Sequence, residues 1–539
     1  VPGLEEAFER VGQAVEAYLP LTHAAGAALA VTDDHDTLGA VVRGFADVAS
    51  GRPVGPDTRF QIGSISKSFS ALCVLQEEAK GTLALDASIN ELVPGLDLPE
   101  PFGPITLHHL LTHTSGLRIG VEHGPWSHVE RVRAKELPPT FPPGERFWYS
   151  NLGYKLVGFA LEHATGTPIQ DLLMERVLGP LGMSRSSAAI VEVERAEAAV
   201  GYEPLQGDRP AHLNHPLAPA VWQPSNTADG SIVSTATDMC EYARLVLNGG
   251  RGPHGELLDA GAFARWIGPH VVSDERGSRY GYGWDVVERD GRRVVRHTGG
   301  TVGFTALLEI WPDDGLGMVV LLNGHGVKDE FGREALTAIA AATRGEALPV
   351  FVPPPAPDLI PDAEACAGTY RSDERVWELD PQDGGLVLRA GPLAVRLERF
   401  DEDAFALPHP ALDKHVVRPV RDDAGAVVAI THGPAWLARD GVMQPPEPPP
   451  VPAKWAAFPG LYRSNDPWQP TSRVFLRRGR LILASPSEGS ELALVPLDRG
   501  WFGAEEAWMP LRVRFDDVVE GRAITLDVNG ARLYRSFED

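Results

Sequence analysis

At 539 residues the chain is too long for one hydrophobic core, so several domains are expected. Its 43% hydrophobic and 23% charged content is ordinary for a globular protein, and no run of about 18 apolar residues predicts a membrane span. A formal charge of -24, with 7 lysines against 42 arginines, argues against nucleic acid as a partner, because phosphate recognition needs clustered cations.

Leu4, Phe8, Val11, Val15 and Tyr18 are spaced for one face of a helix. Residues 27–32 and 40–45 read as strands. Ile65, Phe69, Leu72, Cys73 and Gln76 return to helical spacing, and Gly81 offers a stop. Ser64 falls at the start of that helix and Lys67 lies three residues on, so both side chains face the same way. A helix N-terminus favours an alkoxide and disfavours an ammonium. An ordinary lysine is neutral in only about one molecule in a few thousand at pH 7, so acting as a base requires a shift of ~3 units.

His108, His109 and His113 come next. His109 and His113 are four apart, but a zinc protease motif needs Glu after the first histidine and Leu110 stands there, so no metal is expected. A turn, Pro143-Gly144-Glu145-Arg146-Phe147-Trp148-Tyr149-Ser150-Asn151, feeds a helix beginning near Leu152. Tyr149 is a second titrating group, able to shuttle protons beside a lysine cation. Asn151 is placed to hydrogen-bond Lys67 or a substrate amide. Residues 293–296 read as a strand that runs into His297-Thr298-Gly299-Gly300. Glycines there permit close approach to the backbone, and a strand edge can supply one oxyanion donor with the Ser64 N–H as the other. Residues 305–311 and 317–322 read as a hairpin around Pro312-Asp313-Asp314-Gly315, and 330–343 as a closing helix. The layout is α+β: an antiparallel sheet drawn from both ends, with a helical insert.

Two proline-rich stretches, near 349–357 and 445–452, divide the rest. The expected domains are 1–345, 362–441 and 453–539, with linkers at 346–361 and 442–452. The last two resemble each other. Gly368-Thr369-Tyr370-Arg371-Ser372 recurs as Gly460-Leu461-Tyr462-Arg463-Ser464, and Leu386-Val387-Leu388 as Leu481-Ile482-Leu483. Short apolar runs broken by Gly, Asp and Pro predict small all-β barrels produced by duplication. Cys73, Cys240 and Cys366 form neither a disulfide framework nor a zinc pattern. With no basic and apolar leader visible, the expected location is cytoplasmic, although a removed leader stays open because the chain starts at Val1.

Taken together, Ser64-Ile65-Ser66-Lys67, Tyr149-Ser150-Asn151 and His297-Thr298-Gly299 resemble the serine β-lactamase and penicillin-binding-protein-like superfamily, in its class C, esterase and D-aminopeptidase branch. The stretches at 110–117 and 230–239 carry the same likeness. The resemblance covers about residues 1–345 and implies a β-lactamase/transpeptidase-like catalytic domain followed by two lipocalin-like barrels. It implies Ser64 as nucleophile, Lys67 and Tyr149 as the base pair, His297 in the catalytic group, and Gly300 N–H completing the oxyanion hole. Asn151, Thr298 and Gly299 are the further substrate-binding expectations.

Many relatives that bind β-lactams carry Lys where His297 stands. A mostly neutral histidine pairs poorly with a substrate carboxylate. That weakens β-lactamase and DD-carboxypeptidase readings and favours esters, amides or N-terminal D-residues. The two-barrel tail is similar to the D-aminopeptidase architecture, in which an acidic loop meets the substrate amine; Glu505 and Glu506 are the candidates. Carboxylesterase or acyltransferase activity, and a non-catalytic sensor, are the alternatives. An α/β-hydrolase is disfavoured because no Gly-x-Ser-x-Gly occurs. The expected ligand is a small molecule or short peptide. No cofactor is expected, and a homodimer is the oligomeric option considered.

Overall fold

A computed structural model of the chain describes residues 3–117, 138–274, 277–326, 328–446, 448, 450–506 and 509–537. They form two compact units: Val1–Glu203 with Pro219–Pro353, and Pro204–Ala218 with Pro354–Asp539.

The first unit is built on a nine-stranded antiparallel sheet. Its strands are β1 (His23–Thr32), β2 (Thr37–Asp47), β3 (Arg52–Pro53), β4 (Val271–Val272), β5 (Arg279–Tyr280), β6 (Asp285–Arg289), β7 (Arg292–Thr301), β8 (Phe304–Trp311) and β9 (Leu316–His325). Their spatial order is β4-β5-β6-β7-β8-β9-β1-β2-β3. Strands from the two ends of the unit therefore meet at β9 and β1, where Ala28 pairs Leu321 and Val31 pairs Met318.

Both faces of this sheet are covered, which is why β8 reads as an unbroken apolar run rather than an alternation. The period of two still sorts the side chains. Ala27, Leu29 and Val31 pack with helices α1 (Leu4–Tyr18) and α5 (Lys328–Thr343), while Ala28 and Ala30 face the helical insert. Within the insert, α2 (Ser66–Ala79) is buried on nearly every side, the polar Ser66, Lys67, Ser68 and Ser70 of its first turns included. Tyr242 of α4 (Ala236–Leu247) stacks on Phe69 with ring centroids 3.5 Å apart and donates its hydroxyl to Ser68 Oγ at 2.9 Å. The Trp266 indole N–H donates to the Ser68 carbonyl at 3.1 Å. Aromatic packing and two hydrogen bonds thus fix the first turn of α2.

In the second unit, the sheet of residues 368–439 has nine strands whose edges, Leu393–Arg396 and Glu398–Asp401, are consecutive in the chain. The sheet of residues 460–535 is a closed eight-stranded barrel. The repeated block occupies equivalent places in both. Tyr370 pairs Arg439 of the last strand, and Tyr462 pairs Arg535 of the last strand. Each tyrosine hydroxyl donates at 2.7 Å to the carbonyl four residues back, Cys366 or Phe458. Each arginine donates to carbonyls beside the first strand: Arg439 to Ala365 and Ala367, Arg535 to Ala457 and Pro459.

The single block 1–345 expected from the sequence is interrupted, because Pro204–Ala218 belongs to the second unit. Polar contacts account for this. Arg209 forks onto both Asp413 oxygens at 3.1 Å, the Leu213 N–H donates to Glu398, and Thr471 Oγ1 donates to the Gly207 carbonyl at 2.6 Å. Among the described residues no helix is long and apolar enough to cross a membrane.

Replacing Arg535 by Ala leaves the carbonyls of Ala457, Pro459 and Ala523 without their shared donor. The second unit is expected to lose about 1–3 kcal/mol, read as a lower denaturation midpoint.

Candidate active site

Ser64 sits in the short 3-10 turn Gly63–Ile65 that enters α2, and Lys67 follows within the first helical turn. Gly63 has φ 52, and a Cβ on it would lie 2.5 to 2.9 Å from the Gly300 backbone. A Cβ on Gly299 would lie 1.8 Å from the Ile62 carbonyl oxygen and 3.3 Å from Ser64 N. The serine turn and strand β7 therefore touch backbone to backbone, which only glycine permits. The pairing of β7 explains why its edge is available. Its ladder with β6 ends at Arg296, opposite Asp285, whereas pairing with β8 continues to Thr301. His297-Thr298-Gly299-Gly300 thus lies within the strand. The close approach that the sequence assigned to a substrate is, at Gly299, an approach to the serine turn. Gly300 is exposed, with open space where its Cβ would stand. An open strand edge beside the Ser64 N–H can hold an oxyanion between two backbone donors.

Lys67 is fully buried. Its Nζ donates to Ser64 Oγ at 2.9 Å, to Asn151 Oδ1 at 2.7 Å and to the Asp229 carbonyl at 2.9 Å. It also lies 4.9 Å from the Tyr149 ring centroid. Asn151 is the first residue of α3 (Asn151–Thr165), whose cap Ser150 accepts the Gly153 N–H. Tyr149 precedes that cap. Ser64, Tyr149, Asn151 and Thr298 are each part-exposed around the buried lysine. A serine oxygen in contact with a lysine amine, beside a tyrosine, can exchange a proton while it attacks a carbonyl.

His297 is buried, and both its ring nitrogens are engaged. Nδ1 lies 2.6 Å from the Thr298 carbonyl, so Nδ1 carries the hydrogen, and Nε2 accepts from the Tyr280 hydroxyl at 2.9 Å. Burial, then the Lys67 charge, push its pKa down to about 3 against the Thr298 hydrogen bond. The ring is neutral at ordinary pH. The sequence places His297 among the catalytic groups; in the structure its two ring nitrogens are engaged by the Thr298 carbonyl and the Tyr280 hydroxyl.

The structure brings Ser64, Lys67, Tyr149, Asn151, His297, Thr298, Gly299 and Gly300 together in the first unit. Glu505 and Glu506 belong to the second, after strand Trp501–Ala504, and the Glu505 carboxylate is bonded to Arg480 at 2.6 Å. The following pair, 507–508, lies outside the described residues. His109 and His113 each accept a backbone N–H, His109 from nearby Thr106 and His113 from Ser150, 37 residues on in the chain. Sequence reasoning missed Asp229, one residue before the stretch at 230–239, and Tyr280, which sits in no motif.

A sequence profile of the beta-lactamase family matches residues 11–342. The chain is 29% identical over 367 residues to penicillin-binding protein 4 of Amycolatopsis lactamdurans, covering 65% of this chain and 94% of that protein. It is 28% identical over 397 residues to a D-aminopeptidase of Cereibacter sphaeroides, covering 71% of this chain and 69% of the relative. In fold it is similar to the octameric penicillin-binding protein homologue from Pyrococcus abyssi, with a TM-score of 0.56, 21% identity, and coverage of 89% of this chain and 97% of that one.

Two outcomes follow from this geometry. Gly299→Ala forces a clash with Ile62 and should destabilise the first unit by more than about 2 kcal/mol, whereas Gly300→Ala meets open space and should leave the thermal midpoint unchanged. Stability should also depend on His297. Its folded pKa lies below its unfolded value near 6.5, so the unfolded chain takes up the proton first. The contribution is whole above about pH 6.5 and is lost as pH falls towards 3. Denaturation midpoints of the wild type and His297→Gln, compared at pH 7 and pH 5, measure it.

Proposed function

The chain belongs to the beta-lactamase family, and on that premise we propose that it is a D-stereospecific aminopeptidase or amidase working through an acyl-enzyme on Ser64. It is a serine hydrolase of this superfamily. The observation that carries the proposed mechanism is the contact between Lys67 Nζ and Ser64 Oγ inside a buried, hydrogen-bonded setting.

In this reading Ser64 Oγ attacks the substrate carbonyl as its proton passes to the Lys67–Tyr149 pair. The tetrahedral oxyanion is held by the N–H groups of Ser64 and Gly300. The carbon–nitrogen bond then breaks, and the departing amine takes the proton from the same pair. Water repeats the sequence on the acyl-enzyme, releasing the acid and restoring Ser64. Asn151 keeps Lys67 Nζ aimed at Ser64. Neutral His297 favours amides over substrates that must anchor a carboxylate, since a cation would be needed there. The D-aminopeptidase likeness over 71% of the chain supports the choice of stereochemistry.

The test is release of p-nitroaniline from D-alanine p-nitroanilide beside its L isomer and a p-nitrophenyl ester, with Ser64→Ala as control. D-only amide cleavage is expected. Ester cleavage without amide cleavage would replace the reading by an esterase or acyltransferase. Lys67→Ala and Tyr149→Phe should each lower turnover by about a hundredfold or more. A serine-directed fluorophosphonate should add mass to the wild type and not to Ser64→Ala.

A further inference from the structure

One residue holds the backbone on both sides of Tyr149. The carbonyl of His113 accepts the Trp148 N–H at 2.7 Å, and His113 Nδ1 accepts the Ser150 N–H at 3.0 Å. The same imidazole lies 4.2 Å from the Tyr149 ring, centroid to centroid, with Tyr280 at 4.9 Å and Tyr154 at 5.2 Å. His113 is fully buried, and its backbone is left-handed, with φ 56. A bulky residue is rarely found in that conformation, and such strain gathers at sites where geometry matters. Here it accompanies an arrangement in which carbonyl and ring both reach the 148–150 segment.

The clamp works only with an uncharged ring, because Nδ1 must keep its lone pair for the Ser150 N–H. Burial first, and the Lys67 charge after it, hold the His113 pKa well below its ordinary value. A protonated His113 would also set a second cation beside Lys67. His113 Nε2 has no hydrogen-bond partner among the described residues. The polar contact that fixes the ring is therefore the one to the segment carrying Tyr149.

We propose that His113 is the positioning residue for Tyr149: it fixes the peptide groups before and after the tyrosine and backs its ring, so that the phenol meets the Ser64–Lys67 pair in one setting. This rests on the proton-transfer role proposed for Tyr149 above. His113 acts through Tyr149 and does not itself touch substrate.

The test is a double-mutant cycle on kcat for the amide substrate. His113→Ala should lower kcat about a hundredfold, the cost of a small misplacement at a reacting group, with KM within about threefold. Its kcat–pH profile should shift from that of the wild type. His113→Asn keeps an acceptor near the Nδ1 position and tolerates a left-handed backbone, so kcat should return to within about tenfold of wild type. In the Tyr149→Phe background, neither His113 substitution should lower kcat further. Losses that add to that of Tyr149→Phe, or a folded His113→Ala enzyme with wild-type kcat and pH profile, would overturn the proposal. If His113→Ala fails to fold, the Asn variant carries the same cycle, and its smaller loss must vanish with Tyr149→Phe. Full turnover in Tyr149→Phe alone would remove the role of Tyr149 and that of His113 with it. An impaired Tyr149→Phe with additive His113 losses would remove only the latter.

Discussion

The backbone contact between the Gly63–Ile65 turn and the edge of β7 is the constraint around which the first unit is arranged. A side chain at Gly299 would meet the Ile62 carbonyl and separate the two. The contact imposes demands further out. Helix α2 must run through the middle of the insert, which its all-round burial and the Tyr242–Phe69 stack secure. Strand β7 must lose its β6 partner after Arg296 while keeping β8, which the unequal lengths of β6 and β8 provide.

The electrostatics of the site follow from burying one lysine. Removing an ammonium from water costs several kcal/mol unless hydrogen bonds replace its hydration. Three oxygens from three parts of the chain do so: Ser64, Asn151 and the Asp229 carbonyl. The neighbouring histidines adapt to that charge. His113 and His297 are both held neutral, by burial first and by Lys67 next, and each uses an unprotonated nitrogen as a hydrogen-bond acceptor. Two imidazoles that elsewhere would titrate near neutrality become fixed structural acceptors.

The second unit shows a different economy, in which one solution is used twice. In both sheets a tyrosine of the first strand bonds four residues back, and an arginine of the last strand seals the carbonyls at the entry. The outcome still differs: one sheet closes on itself, while the other leaves its edges at consecutive strands. The seam is the same in both sheets and the closure differs.

Local chemistry is legible without a structure. The spacing of Phe69 and Leu72 determined α2, and Ser64 and Lys67 came with it at fixed separation. The turn ending at Asn151 announced the helix that follows it, and the Tyr370 and Tyr462 blocks announced the repeat. These signals survive because periodicity and capping act within a few residues. What the tertiary structure alone decided is long-range and carried by backbone groups. The register of the β9–β1 pair, the Asp229 carbonyl on Lys67, the hold of His113 on residues 148–150 and the capture of Pro204–Ala218 by the second unit all involve partners distant in sequence. The first three rest on peptide N–H and C=O groups, which every residue type offers alike. The last rests mainly on Arg209, Asp413 and Glu398, whose charges read in the sequence as ordinary solvated surface until the fold brings them together.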